Sequence, residues 1–106
     1  MSTITTTPVF IEKENVAKLH FPNTEVLVEA EKIALRKERL LRGAKLGNID
    51  HIKCQIVFED DQRLKYVSTT IWATMEKNIS LKGGITIPIN RIHDVVFLRT
   101  EGTKKF

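Results

Sequence analysis

The stretch with the most apparent chemistry is LKGGITIPINRIHDV, residues 81 to 95, where Gly83 and Gly84 stand between Lys82 and Arg91. Glycines beside cations can cradle a phosphate, but that needs a strand, a glycine loop and then a helix N-terminus whose N–H groups converge on the anion. Here the glycines lead into ITIPI, which alternates like a strand, so the pair is read as a hairpin turn using positive φ. His20, His51 and His93 have no partner at i+4 and no Cys-x-x-Cys frame, a pattern that predicts no metal site. His93 beside Asp94 has the composition of an acid–base pair, yet neighbours on a strand point to opposite faces. Cys54 alternates with apolar residues and is expected to be a small core hydrophobe rather than a nucleophile. Glu59, Asp60 and Asp61 concentrate negative charge at a hairpin tip without the remaining offsets of a calcium loop. No catalytic residue and no cofactor are expected, and the chain is read as non-enzymatic.

Charge gives the stronger signal. The net charge is +4, but residues 32 to 45 hold Lys32, Arg36, Lys37, Arg39, Arg42 and Lys45 against Glu38. That segment is therefore +5 and the rest of the chain −1, so the basicity is local. Lys32, Arg36, Arg39, Arg42 and Lys45, at spacings of three to four, form a candidate stripe for nucleic acid or an acidic protein partner. Glu38 can instead pair with Arg42 at i+4 and make the same face an ion-pair-laced solvent surface. Tyr66 and Trp72 share parity on one strand; exposed, they would be a stacking platform, and against the helix they would be core, the reading favoured here.

The elements that must position these residues follow from periodicity. With 106 residues, 42% hydrophobic and 28% charged, the chain suits one domain with one core. A single cysteine excludes an intramolecular disulfide, and the absence of a long apolar run or signal-like N-terminus predicts a cytoplasmic protein without a membrane span. Residues 1–22, containing Pro8 and Pro22, read as an extended arm with room for a short strand at Val9 to Ile11. A helix is expected from Asn23 or Thr24 to Gly43 or Gly47, acidic first and basic last, burying Val26, Leu27, Ala30, Ile33, Ala34, Leu40, Leu41 and Ala44. Lys37 falls within that stripe and would cover it with its aliphatic stem. Val28 and Leu35 lie on the outer face, where a second copy could use them.

HIKCQIVFE alternates with period two, DDQR turns the chain, and LKYVSTTIWATM returns antiparallel. The length of that second strand predicts a bend serving two sheet surfaces. Pro88 cannot donate to a ladder, so ITIPI belongs at an edge; INRI turns, HDVVFL forms the last strand, and 100–106 is a polar tail.

This element order, over residues 24 to 98, resembles the Sm-like small barrel. The resemblance implies an RNA site only where the loop residues agree, and here Asn78 alone and Lys82-Gly83-Gly84 stand in those loops. TTIWATMEKNISLKGGITIPINRIHDV also resembles a local hairpin of pleckstrin-homology-like and GRAM-like domains. RLLRGAKLGN and TTIWAT followed by LKGGITIPI are similar to small uncharacterised Bacteroidetes proteins. The expectation is an α+β domain over 23–99, an amphipathic N-terminal helix on a strongly bent antiparallel five-stranded sheet or partly open barrel. Its expected role is binding or assembly as a homo-oligomer, through strand edges and the outer helix face; the alternative is a regulatory adaptor for an acidic partner, and a third reading is an enzyme with an unrecognised site.

Overall fold

The computed structural model describes residues 7–98. The polar tail expected at 100–106, and the first residues of the expected arm, lie outside them. The described chain is α+β: one long helix and two sheets of four and three strands that do not close into a barrel. β1 (Val9–Phe10) precedes a 3-10 turn (Lys13–Lys18), and α1 spans Ala30–Asp50. β2 (Cys54–Glu59), β3 (Leu64–Thr69), β4 (Ile71–Thr74), β5 (Asn78–Leu81) and β6 (Thr86–Pro88) follow; a 3-10 turn (Ile89–Arg91) leads into β7 (Ile92–Phe97).

The strand expectations hold where alternation was clean. Cys54, Ile56 and Phe58 of β2 point into the core, and β3 pairs antiparallel with β2. The long second strand breaks at Thr70, with β3 in the sheet β1-β3-β2-β7 and β4 in the sheet β4-β5-β6. Gly83 and Gly84 take φ of 93° and 83°, and Leu81 N–H donates to Ile85 O at 2.7 Å, closing the expected hairpin. Pro88 ends β6 at a sheet edge, as its missing donor requires. Two differences concern the arm: β1 pairs parallel with β3, and Val16 of the 3-10 turn is buried with Ile11, Leu19 and Phe21 packed nearby. Apolar side chains tie this segment to the sheet, and the short strand expected at Val9 to Ile11 is present as β1.

The helix departs most from expectation. It starts at Ala30, not Asn23 or Thr24, because tertiary bonds hold the preceding residues in a bent, non-helical segment. Arg91 Nη1 donates to Thr24 O and Oγ1, and Val26 N–H donates to Asn90 O. The helix also runs through both glycines read as stops and ends where His51 takes φ 55°, its N–H donating to Gly47 O. Its buried residues are Arg36, Leu40, Gly43 and Gly47, while Ala30, Ala34 and Leu41 of the expected stripe are exposed. Lys37 is exposed as well, so its stem does not fill a buried stripe.

The glycines serve contact. α1 packs against β4 and β7, edge strands of different sheets. A Cβ on Gly47 would stand 2.4 Å from Ile71 O and 2.8 Å from Thr70 Cγ2; on Gly43 it would meet side-chain ends, the nearest Ile71 Cδ1 at 3.0 Å. Gly47→Ala gains about 1 kcal/mol of helix propensity, but the backbone carbonyl it meets can yield only if the helix shifts. Overpacking of that kind costs about 1–3 kcal/mol, and its upper end applies here. Thermal unfolding followed by circular dichroism is therefore expected to show a lower Tm for Gly47→Ala and a smaller loss for Gly43→Ala. A Tm at or above the parent for Gly47→Ala would refute this account of the contact.

Candidate functional site

The basic residues expected to form one stripe have separate fates. Arg36 is 4% exposed and lies under the helix rather than on its outer face. Its Nη1 and Nη2 donate to the two oxygens of Glu25, each at 2.7 Å, and Nη1 also donates to Ile92 O at 2.9 Å. Only Nε is left without a partner among the described residues. This bidentate bond holds the Glu25 carboxyl below its ordinary 4.5, against the opposing effect of burial. Arg39 donates to Asp94 Oδ1, and Lys32 pairs with Glu29 at 3.7 Å. The Arg42 guanidinium stands over the Phe97 ring, 5.7 Å from its centroid, and Lys45 is exposed. The Glu38–Arg42 ion pair that the i+4 spacing allows does not form among the described residues.

The aromatic pair is not brought together. The break at Thr70 puts Tyr66 and Trp72 in different sheets, so shared parity does not mean a shared face. Tyr66 packs on Phe10 at 5.5 Å between centroids, whereas Trp72 is 47% exposed and is not core. His93 Nε2 meets Glu59 Oε1 at 2.9 Å, while Asp94 faces Arg39, so His93 and Asp94 are divided as strand geometry requires. Cys54 is fully buried, and burial pushes its thiol up to about 11.

Asp60 is buried too. Burial acts to raise its carboxyl, but the Lys65 ammonium at 2.7 Å and the amides of Arg63 and Gln62 outweigh it and hold the group below its ordinary 3.8. It organises the β2–β3 turn rather than a cation site. Among the described residues no group of three His, Cys, Asp or Glu side chains is placed to hold a metal ion. No described helix is long and apolar enough to cross a membrane.

What the arrangement does create is an open groove of about 450 Å³ between α1 and β7, lined by Leu35, Glu38, Arg39, Arg42, Val95, Val96 and Phe97. Its floor is the outer edge of β7. Leu98 N–H donates to Lys53 O at 3.0 Å, which in the β2–β7 register makes Gln55–Val96 a bonded pair and leaves Ile56–Val95 and Cys54–Phe97 unbonded. The backbone N–H and C=O of Val95 and Phe97 therefore point off the sheet into the groove. The Val95 N–H confirms this by donating to Asp94 Oδ1 at 2.8 Å.

No family model, curated protein or solved structure matches this chain. The site therefore rests on its own geometry. Among the described strands, β1 is two residues long, β6 is three and carries Pro88, and β4 is covered by α1, with Asn48 Nδ2 donating to Trp72 O at 2.9 Å. These are familiar protections of a sheet edge. β7 has six residues and is protected only toward its start, by Arg36 on Ile92 O and Asp94 on Val95 N–H. Leu35 is expected from the sequence as an outer-face contact for a second copy, whereas Val96 and Phe97 are not, although the run Val95-Val96-Phe97 carries a signal: on a strand three consecutive apolar residues force one outward. That residue is Val96, 44% exposed.

The Arg36–Glu25 pair supports one side of this groove. Because the folded Glu25 carboxyl lies below 4.5, the stability it contributes is present above about pH 4.5 and is lost as pH falls through the folded value. Glu25→Gln is expected to remove about 3 kcal/mol at neutral pH, the low end for breaking a buried pair because Glu25 is partly exposed. It should also flatten the acid limb of stability. Urea unfolding across about pH 3 to 7 checks both; a variant with the parent's acid limb would show that Glu25 does not titrate against Arg36.

Proposed function

We propose that this chain is a non-enzymatic binding or assembly module that takes up an extended polypeptide segment as an added strand along β7. The observation that carries the reading is the outward-facing backbone of Val95 and Phe97 at the floor of an open groove. Main-chain hydrogen bonds would hold the segment, and its alternate side chains would meet Leu35 and the stem of Arg42 on the helix side. Leu35 is 43% exposed, so apolar surface is available there.

This reading is preferred to nucleic-acid contact because the basic stripe is discontinuous. Arg36 is buried against Glu25, Arg39 is bonded to Asp94, and Lys32 is paired with Glu29, which leaves Arg42 and Lys45 with no ion pair among the described residues. It is preferred to an acidic partner because the groove balances Arg39 and Arg42 against Glu38 and the adjoining Asp94.

The test is amide hydrogen exchange with a capped pentapeptide of alternating valine and threonine as the probe. Saturating peptide should slow exchange at Val95 and Phe97, and Val96→Lys should abolish the effect. If neither amide gains protection at a protein concentration where the mass is 12.2 kDa, the groove is not a strand-docking site. If an oligothymidylate instead perturbs Arg42 and Lys45 with steep salt dependence, the module contacts nucleic acid.

A further inference from the structure

We infer that the segment seated on β7 is β7 of a second copy of this chain, related by a two-fold axis through Val96. The inference rests on the strand-addition reading of the groove. Antiparallel pairing about Val96 sets Val95 of each copy against Phe97 of the other, so the outward N–H and C=O groups of both residues find partners in a bonded pair. Val96 then meets Val96 of the second copy at a close, unbonded position, covering a side chain that is 44% exposed in one copy.

Charge selects the same occupant. Glu38 and Arg42 both line the groove, have opposite signs and take no ion pair among the described residues. A partner of one sign would satisfy one of them and repel the other. A second copy related by two-fold symmetry offers Arg42 for Glu38 and Glu38 for Arg42, the self-complementarity an isologous interface requires. Arg39 and Asp94 are already neutralised by one another.

One internal bond must change. In a single copy the Val95 N–H donates to Asp94 Oδ1, and in the pair it donates to the Phe97 carbonyl of the second copy. Asp94 keeps its bond from Arg39, so its carboxylate is not stranded. The exchange makes the association weak and concentration-dependent, as suits a short ladder at the small end of interface sizes.

The test pairs light scattering with site-directed cross-linking of the full chain. Scattering should show a mass that rises from 12.2 kDa toward twice that value as concentration increases, and Val96→Lys should stay at 12.2 kDa. In Val96→Cys the two-fold pairing sets the thiols at an unbonded antiparallel position, with Cα atoms about 4.5 Å apart, within disulfide reach. With diamide as oxidant, the dimer should form ~10-fold or more faster than for the hairpin variant Asp61→Cys, because docking raises the effective thiol concentration. Buried Cys54 is common to both variants and gives no difference between them.

A mass fixed at 12.2 kDa up to about 1 mM, where weak association would register, would overturn the second copy as occupant. If the valine–threonine peptide still protected Val95 and Phe97, the docking groove would stand with another partner. Failure of both would remove the groove itself. A rising mass with no cross-linking advantage at residue 96 would place the dimer on a different surface and equally overturn this pairing.

Discussion

A guanidinium cannot be buried without partners, and most of the helix's placement follows from meeting that requirement at Arg36. Transfer of an unpaired charge out of water is prohibitive, so Arg36 can lie under α1 only where a carboxylate and a carbonyl converge on it. Glu25 and Ile92 O supply them. Glu25 must then approach from a segment that is not helical, which is why residues 23–29 stay out of the helix despite a sequence rich in helix formers. Arg36 also fixes the rotation of α1. With position 36 turned inward, Leu35, Arg39 and Arg42 are carried to the β7 side, where they form one wall of the groove.

The second constraint is the distance between helix and sheet. Gly47 lets α1 approach the β4 backbone to a separation at which a Cβ would meet Ile71 O, Gly43 faces side-chain ends of the core, and Asn48 and Thr74 secure the contact by donating to Trp72 O and Leu40 O. Held at β4 by glycines and at β7 by Arg36, the helix bridges the outer strands of two sheets whose buried side chains share one core. The same contacts cover the edge of β4 and leave that of β7 open.

Much of the sheet was legible in the sequence, because alternation is a local signal with a fixed period. Cys54 to Phe58 gave β2, the length of LKYVSTTIWATM gave the bend, and Gly83-Gly84 with Pro88 gave the turn and the edge. The helix phase was not legible. Val26 and Leu27 of the expected apolar stripe precede the helix, and the true buried face, Arg36, Leu40, Gly43 and Gly47, contains a charge and two glycines that a hydrophobic pattern cannot see. A face displaced in this way puts Arg36 on a surface stripe and hides the wall that Leu35 and Arg42 make with β7. Tyr66 and Trp72 misled for a related reason, since parity survives along a strand but not across the break at Thr70.

The state of the edges also decides what kind of assembly the groove permits. A strand edge that accepts one neighbour and exposes another leads to open growth, which is why long uncovered edges are hazardous. β7 stands at the end of its sheet, and the edge at the other end is β1, only two residues long and parallel to β3. If β7 of one copy pairs with β7 of another about Val96, the open stretch 95–97 of both is consumed at once, Arg36 already covers Ile92 O at the start of the strand, and the joined sheet ends on a β1 at each side. The three-stranded sheets present only helix-covered β4 and proline-ended β6. Two-fold pairing would therefore stop at two copies, whereas a head-to-tail contact would need a second receptive edge that the described strands do not provide.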